Sequence, residues 1–213
     1  MRVIIFTWEF PPRIVGQLSH YVNKLAVELV KKNVDTYIVT YHNSWIGKHE
    51  GANGVKAYRF SNPVKAQINV LTWDLTLNQE VARVAADIYY SVKVDLIDVH
   101  DWHFTPAVVS LKRALGIPFV FSIDSLEDHR SHCSNAPLSL SIKSLELSGV
   151  NEAERVVVKS DWMKQEVNRI YKTPLEKIEV VSSDSPTWID DILKGYRKAL
   201  NTLQIQESSD ADE

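Results

Sequence analysis

A short run near the middle of the chain combines side chains that suit sugar binding. It reads Val99-His100-Asp101-Trp102-His103 and therefore holds two imidazoles, a carboxylate and an indole in four consecutive residues. A carboxylate accepts hydrogen bonds from sugar hydroxyls, an imidazole donates or accepts them, and a flat ring can cover the apolar face of a pyranose. A purely structural alternative explains the same residues: Asp101 caps the next helix, His100 is buried at a strand end, and Trp102 packs under a loop.

Other unusual side chains fall in loops that follow predicted strands. These loops hold Glu9, Arg13 and Gly16; His42 and Trp45; and the stretch from Asp124 to Cys133. Parallel strands bring such loops to one edge of a sheet, which is where ligands bind. Gly16 could let backbone amides at a helix start face a phosphate or a sugar, although a plain helix-entry loop is the simpler interpretation. The sequence contains neither a Walker loop nor G-x-G-x-x-G.

The loop from Asp124 to Cys133 also has a spacing that could hold a metal ion, through His129, His132 and Cys133. No second cysteine-rich segment supports a metal centre, so a solvated loop is the preferred interpretation and we expect no metal. The absence of a Gly-x-Ser-x-Gly elbow argues against an α/β-hydrolase.

Strand-like and helix-like segments alternate along the chain, which predicts an α/β fold with a doubly wound parallel sheet. The predicted strands are 3–8, 35–41, 55–60, 96–100, 119–123, 155–158 and 178–181. The predicted helices are 18–32, 70–92, 105–115, 138–147, 160–171 and 186–203. Segments 42–54 and 124–137 are predicted to be polar loops, and the acidic tail 206–213 is predicted to be disordered.

Composition narrows the class of protein. The chain has 213 residues and a net charge of −3, which gives no basic footprint for nucleic acid. No apolar run approaches the ~20 residues that span a bilayer. The apolar start, Val3 to Phe6, is interpreted as a first strand and not as a signal peptide. The single cysteine, Cys133, favours a reducing cytoplasm and excludes an internal disulfide framework.

Several segments together resemble the N-terminal half of GT-B glycosyltransferases, especially archaeal-type glycogen and starch synthases. They are Arg2 to Pro12, Val15-Gly16, Val99 to His103 and Ile117 to Ile123, and the resemblance covers about residues 1–181. It implies a single Rossmann-like domain of a two-domain enzyme. In such enzymes the N-terminal domain mostly holds the acceptor glucan, and the C-terminal domain binds most of the nucleotide-sugar donor.

The resemblance and the loops described above give a set of expected site residues. Asp101, His103 and Asp124 are expected at the catalytic edge, and Asp124 stands where the family has a histidine. The residues expected to bind substrate are Glu9, Arg13, Gly16, Gln17, His100, Trp102, Ser125, Glu127 and Arg130. The implied substrates are an α-glucan or another sugar acceptor and a nucleotide sugar such as UDP- or ADP-glucose, with no separate cofactor.

The sequence departs from the family pattern at three points. Gln17 replaces a second glycine, so its side chain would crowd a phosphate that approaches closely. Asp124 would place a negative charge near an anionic donor. After Val181 the chain continues into a final helix instead of a donor domain, and that helix resembles the closing helix of full-length enzymes through Trp188, Ile192, Tyr196 and Leu200. We therefore hypothesise that the donor domain is missing and that the helix 186–203 packs back on the first domain.

Two functions remain open. The first is an acceptor-binding half-domain that is weakly active or inactive alone, because Arg13 and Arg130 are the only cations evident in the candidate loops to stabilise a leaving diphosphate. The second is a non-catalytic scaffold, shortened by evolution or by engineering, that self-associates as a homodimer through the former interdomain cleft.

Overall fold

The computed structural model describes residues 1–51, 53–66 and 68–210, and within them one sheet of eight strands. The strands are β1 (Arg2–Thr7), β2 (Asp35–Tyr41), β3 (Gly47–Glu50), β4 (Lys56–Phe60), β5 (Leu96–His100), β6 (Phe119–Ile123), β7 (Arg155–Val158) and β8 (Ile178–Val180). Their order is β3-β4-β2-β1-β5-β6-β7-β8, and every pair is parallel except β3 with β4.

Helices cover both faces of this sheet. They are α1 (Gln17–Lys31), α2 (Val70–Val92), α3 (Thr105–Leu115), α4 (Glu127–Arg130), α5 (Pro137–Glu152), α6 (Asp161–Tyr171) and α7 (Trp188–Asp210). This architecture confirms the expected doubly wound, Rossmann-like fold. The chain winds outward in one direction from β1 to β2 and β4, and in the other direction from β5 to β8, so the loops after β1 and β5 flank the point where the winding reverses. Ligand sites of open α/β sheets lie at this point.

Alternation along the strands creates two apolar cores. In β1, Ile4 and Phe6 join the core under α2, α3, α5 and α6, whereas Val3 and Ile5 join the core under α1 and α7. All four side chains are fully buried. Strands that are buried on both faces are typical of parallel sheets, because helices cover each side.

The last helix packs on the sheet. Trp188, Ile192 and Tyr196 are buried in the same core as α1, and Leu200 packs against that core. The Tyr196 hydroxyl donates a hydrogen bond of 2.5 Å to Asp98 in β5. The helix thus contacts the strand whose end carries His100 and is followed by Asp101 to His103.

The structure corrects four of the sequence-based segments. Helix α5 extends from Pro137 to Glu152, beyond the predicted helix 138–147. The predicted loop 42–54 contains β3, an antiparallel edge strand in which Gly47 pairs with Arg59. The predicted loop 124–137 contains the one-turn helix α4. Helix α7 continues to Asp210, past the predicted end at residue 203, and residues 211–213 of the expected tail lie outside the described part of the chain. None of the described helices is both long and apolar enough to cross a membrane.

Candidate functional site

The strand end at β5 holds a buried charged imidazole. His100 is 1% exposed and lies between two carboxylates: its Nδ1 is 3.2 Å from Asp124 Oδ2, and its Nε2 is 3.6 Å from Asp98 Oδ2. Burial alone would lower the pKa of His100, but these two carboxylates outweigh it and raise the pKa to about 10. His100 is therefore an interior cation that fixes the site, and a substrate cannot reach its ring without displacing protein.

The next residue, Asp101, has a backbone conformation that residues other than glycine rarely adopt. Its φ is 56° and its ψ is −175°, a region that costs roughly 1–3 kcal/mol. Its Oδ1 accepts hydrogen bonds from the backbone amides of Asp124 (2.9 Å) and Ser125 (3.3 Å). Burial and the nearby Asp124 carboxylate raise the pKa of Asp101. Asp101 does not cap the following turn with its side chain; it ties the end of β5 to the end of β6 instead.

Asp124 joins this strand-end network to a cation that the sequence analysis missed. Its carboxylate contacts His100 and also the ammonium of Lys159, which directly follows β7. Burial would raise the pKa of Asp124, but the hydrogen bond from His100 and the charges of His100 and Lys159 lower it. Its position in the sequence could have identified Lys159. The residue directly follows β7, just as Asp101 follows β5 and Asp124 follows β6 in the same parallel part of the sheet.

His103 occupies a different environment, between two indoles. Its ring stacks on Trp8 at 4.7 Å and on Trp102 at 4.2 Å between ring centroids. Its Nδ1 lies 2.9 Å from the carboxylate of Asp74 in α2, a residue that is 1% exposed. Trp102 is buried, so its ring supports His103 and does not offer a face to a sugar.

Arg13 belongs to the same aromatic group. Its guanidinium carbon lies 4.7 Å from the ring centroid of Trp8 and 4.9 Å from that of Tyr41, and its Nη1 donates to the Trp8 carbonyl at 2.6 Å. Burial lowers the pKa of Arg13, and the charges of Tyr41 and Glu9 oppose this change. The arginine is therefore held in place beside the ring that also stacks on His103.

The backbone amides of Val15 and Gly16, which precede α1, already bind a side chain of the protein. Glu9 is 4% exposed, and its carboxylate accepts hydrogen bonds from the backbone amides of Val15 and Gly16, the latter at 2.6 Å. A carboxylate at the start of α1 satisfies the positive end of that helix. Because these amides are the ones that could cradle a phosphate, an anionic ligand would have to compete with Glu9. Gln17 is exposed beside them.

Two further expected site residues, Glu127 and Arg130, lie in α4 and contact α5. Glu127 is 7% exposed and accepts a hydrogen bond of 2.6 Å from Ser139. Arg130 donates to the carbonyl and hydroxyl of Ser125 and to the buried Glu146. Arg130 and Glu127 thus hold the loop after β6 against α5. Arg130 also contacts Ser125 beside Asp124, and its charge opposes the rise in the pKa of Asp101.

The possible metal ligands do not converge. In the described ranges there is no group of three or more side chains of the metal-binding types. His129 pairs with Glu166 at 2.8 Å and stacks on Trp162, whereas His132 and Cys133 are exposed. The geometry of these residues is that of a surface loop.

Two groups of residues therefore meet where the sheet changes winding direction. One is the strand-end network of His100, Asp101, Asp124, Ser125 and Lys159. The other, which we call the aromatic cradle, consists of Trp8, Arg13, Tyr41, Trp102 and His103. The family model for Glycosyltransferase Family 4 matches residues 18–183, which is most of the chain and of this site. The chain belongs to this family.

The curated relatives of this glycosyltransferase family member are longer than it is. An uncharacterized glycosyltransferase of Methanocaldococcus jannaschii is 31% identical over 203 residues, which are 94% of this chain and 50% of the relative. A glycogen synthase of Mycobacterium tuberculosis is 22% identical over 205 residues, covering 88% of this chain and 50% of that protein. The chain thus spans about half the length of the curated relatives it matches.

Solved structures share the GT-B fold. Sucrose-phosphate synthase from Thermosynechococcus elongatus superposes with a TM-score of 0.73 at 13% identity, over 85% of this chain and 47% of that one. A second, shorter chain of that synthase gives a TM-score of 0.69 at 12% identity, over 93% of this chain and 98% of that one. Starch Synthase IV from Arabidopsis thaliana, bound to ADP and acarbose, gives 0.53 at 12% identity, over 93% of this chain and 50% of that one.

Proposed function

We propose that this chain is the acceptor-side half of a glycosyltransferase that moves a glucosyl group from a nucleotide sugar to an α-glucan or another sugar acceptor. Residues 1–181 form the acceptor-side domain in this proposal, and residues 186–203 form the helix that closes onto it. Relatives named glycogen synthase and a structural neighbour bound to ADP and acarbose support this substrate class. The single cysteine, Cys133, is compatible with a cytoplasmic enzyme.

The observation that carries the proposal is the setting of His103. A carboxylate can only accept, so the Nδ1 atom of His103 donates to Asp74 and Nε2 is the ring nitrogen left for a ligand. Within the described residues Nε2 has no hydrogen-bond partner, and the side chain is 19% exposed. A partly exposed ring nitrogen, held in place by two stacked rings, is suited to a hydrogen bond with a sugar hydroxyl, which can donate or accept.

The cations of the site are already engaged, and this limits the chemistry of the chain alone. Lys159 pairs with Asp124, and Arg13 is stacked on Trp8. Glu9 occupies the amides at the start of α1. Departure of a nucleoside diphosphate requires positive groups on its phosphates. We therefore infer that the chain binds the acceptor and that efficient transfer requires cations supplied by a donor domain.

The experiment is an amide NMR titration of the full chain, first with a maltooligosaccharide and then with UDP- and ADP-glucose. We expect the maltooligosaccharide to shift Gly16, Asp101, His103 and Ser125 in a saturable way. His103→Gln should weaken this binding about tenfold, the effect of one lost hydrogen bond in a fixed site. His129→Gln, at a surface pair with Glu166, is the matched control and should bind as the parent chain does. An absence of shifts at millimolar sugar would contradict the proposal.

A specific observation favours the scaffold function as a second candidate. Ile14 is 53% exposed and Val15 is 65% exposed, directly beside Gly16. Adjacent exposed apolar side chains at the rim of a candidate cleft are typical of an interaction surface. Under this alternative the chain forms a homodimer through that face, and sugars produce no shifts in the titration.

A further inference from the structure

A cavity lies between α1 and the outer strands β3 and β4, and none of the residues of the aromatic cradle lines it. Its volume is about 480 Å³, and Phe10, Asn23, Trp45, His49 and Arg59 are among its lining residues. Arg59 lies near the end of β4, on the face that Ala57 shares with α1. Its partner across the antiparallel pair is Gly47, so no side chain of β3 fills the space directly beside it.

The guanidinium of Arg59 is buried, and no carboxylate pairs with it in the part of the chain that the structure describes. The residue is 6% exposed, and its Nη2 donates to the Pro11 carbonyl at 2.6 Å. Its Nε and Nη1 have no hydrogen-bond partner among the described residues. The guanidinium carbon lies 4.3 Å from the ring centroid of Trp45 and 5.9 Å from that of Phe10. Burial lowers the pKa of Arg59. Buried charges are normally paired, because an unpaired charge in the protein interior is strongly unfavourable.

The surroundings of Arg59 are positive. Lys48 and His49 also line the cavity, and no aspartate or glutamate is among the lining residues that the structure describes. The Nε2 atom of His49 is shielded from solvent and likewise lacks a partner within the described ranges. Burial lowers the pKa of the nearby His42, and the charges of Arg59, Arg13 and His49 lower it further. Arg59 and His49 therefore bring three buried nitrogens without a partner among the described residues to the wall of a cavity that has no described acidic lining residue.

We propose that this cavity, lined by Arg59, His49, Asn23 and Trp45, is a binding site for the phosphate group of a small phosphorylated ligand. A phosphate supplies several acceptor oxygens, which match the donors of a guanidinium, an imidazole and an amide. The volume also leaves room for a ligand body of sugar size. Trp45 is 44% exposed and covers the guanidinium, so it is the ring that an entering ligand displaces.

Occupancy of this site bears on the aromatic cradle through one loop. Arg59 holds the Pro11 carbonyl, and Pro11 is two residues from Arg13, whose guanidinium stacks on Trp8. A phosphate on Arg59 therefore acts on the same loop that carries Glu9 and Gly16. The proposed phosphate site does not depend on the glucosyl-transfer proposal, because none of its lining residues takes part in sugar binding there.

Inorganic phosphate is the probe, added to the full chain and followed by ¹H–¹⁵N NMR, with sodium chloride of equal ionic strength as the reference. The Arg59 Nε–H and the Trp45 indole N–H are direct reporters. We expect both signals to shift saturably with phosphate. Arg59→Gln should weaken binding about tenfold, as expected for the loss of charge-assisted hydrogen bonds. Arg113→Gln is the control. Arg113 is exposed on α3 and pairs with Glu152 of α5, and neither residue lines this cavity.

Shifts that rise linearly with phosphate, or equal affinities in Arg59→Gln and Arg113→Gln, would overturn the proposal. If Arg59→Gln does not fold, as judged by circular dichroism, His49→Gln decides the question. His49 lies on the edge strand β3 and is only partly buried, so its replacement leaves the sheet core intact. Weaker phosphate binding by His49→Gln supports the site, and unchanged binding rejects it.

Discussion

At the scale of single residues, the buried imidazole of His100 makes stability depend on pH. The pKa is about 10 in the folded chain, whereas an unfolded histidine titrates near 6.5. The folded state therefore holds a proton that the unfolded state releases. This contribution is fully present below pH 6.5 and is lost as the pH rises toward 10.

The expected outcome is a free energy of unfolding that falls between pH 7 and pH 9, by about 1 kcal/mol per pH unit from this group. Urea unfolding at a series of pH values measures it. An NMR titration of the His100 ring gives the control, because the ring should remain protonated to pH 9. A flat stability profile together with a ring pKa near 6.5 would contradict the charged arrangement with Asp98 and Asp124.

Asp101 allows a comparison of strain with hydrogen bonding at one residue. Both Asp101→Ala and Asp101→Gly lose the hydrogen bonds to the Asp124 and Ser125 amides. Only glycine adopts a φ of 56° with a ψ of −175° without steric strain. We expect the alanine variant to be less stable than the glycine variant by about 1 kcal/mol. In ordinary extended backbone alanine is the more stable of the two, so an alanine variant that is more stable than the glycine variant in urea unfolding would show that the residue is unstrained.

The sequence predicted the residue types of the site better than their roles. Asp101, His103 and Asp124 follow buried strands, which is enough to place them at one edge of a parallel sheet. Burial of Trp102 was the structural alternative to sugar binding, and the structure has this ring buried. Burial of Glu127 could not be predicted, because it depends on packing between distant segments. Lys159 and Asp74 were missed for the same reason, because each acts on the site through a partner at least 29 residues away. Asp98 was also missed, although it acts on His100 within the same strand.

At the scale of secondary-structure elements, α7 stabilises the strand that carries the site. The Tyr196 hydroxyl donates to Asp98 at 2.5 Å inside the core, and Asp98 in turn lies beside His100. Tyr196→Phe removes this donor and leaves the carboxylate with one fewer hydrogen bond. The expected loss is about 1–3 kcal/mol of unfolding free energy, because the acceptor is a buried carboxylate.

Tyr90→Phe is the matched control for that measurement, since Tyr90 is 70% exposed and should change stability by less than about 0.5 kcal/mol. Amide exchange adds an independent readout: residues 188–200 should be protected in the parent chain and should exchange faster in Tyr196→Phe. If residues 188–200 exchange freely while the sheet is protected, the packing of α7 on the first domain is wrong.

Element boundaries were predictable wherever apolar periodicity was strong. The bounds of α2, Val70–Val92, match the prediction, and Gly116 ends α3 in the left-handed conformation that a glycine stop implies. Strand β3 escaped prediction because its sequence, Gly47-Lys48-His49-Glu50, has no apolar side that alternates. An edge strand pairs through its backbone on one side only, so it can consist of polar residues.

At the scale of the whole molecule, the faces of the sheet are buried, but one edge exposes apolar side chains. Both of its faces are covered by helices, whereas the loops after β1, β5 and β6 meet with Ile14 and Val15 exposed among them. The chain also spans about half of the relatives it matches. Residues on such an edge are expected to contact something further, either a donor domain or a second copy.

Sedimentation across a wide range of protein concentration tests self-association at this edge. If the chain forms a homodimer there, replacing both exposed side chains, as Ile14→Ser with Val15→Ser, removes apolar contact area and should weaken association at least about tenfold. Tyr90→Ser, at an exposed position on α2, is the control and should associate like the parent chain. A maltooligosaccharide that suppresses association would show that sugar and partner compete for one face. A parent chain that stays monomeric at every concentration would eliminate the scaffold function and leave the acceptor-side half-domain as the function to pursue.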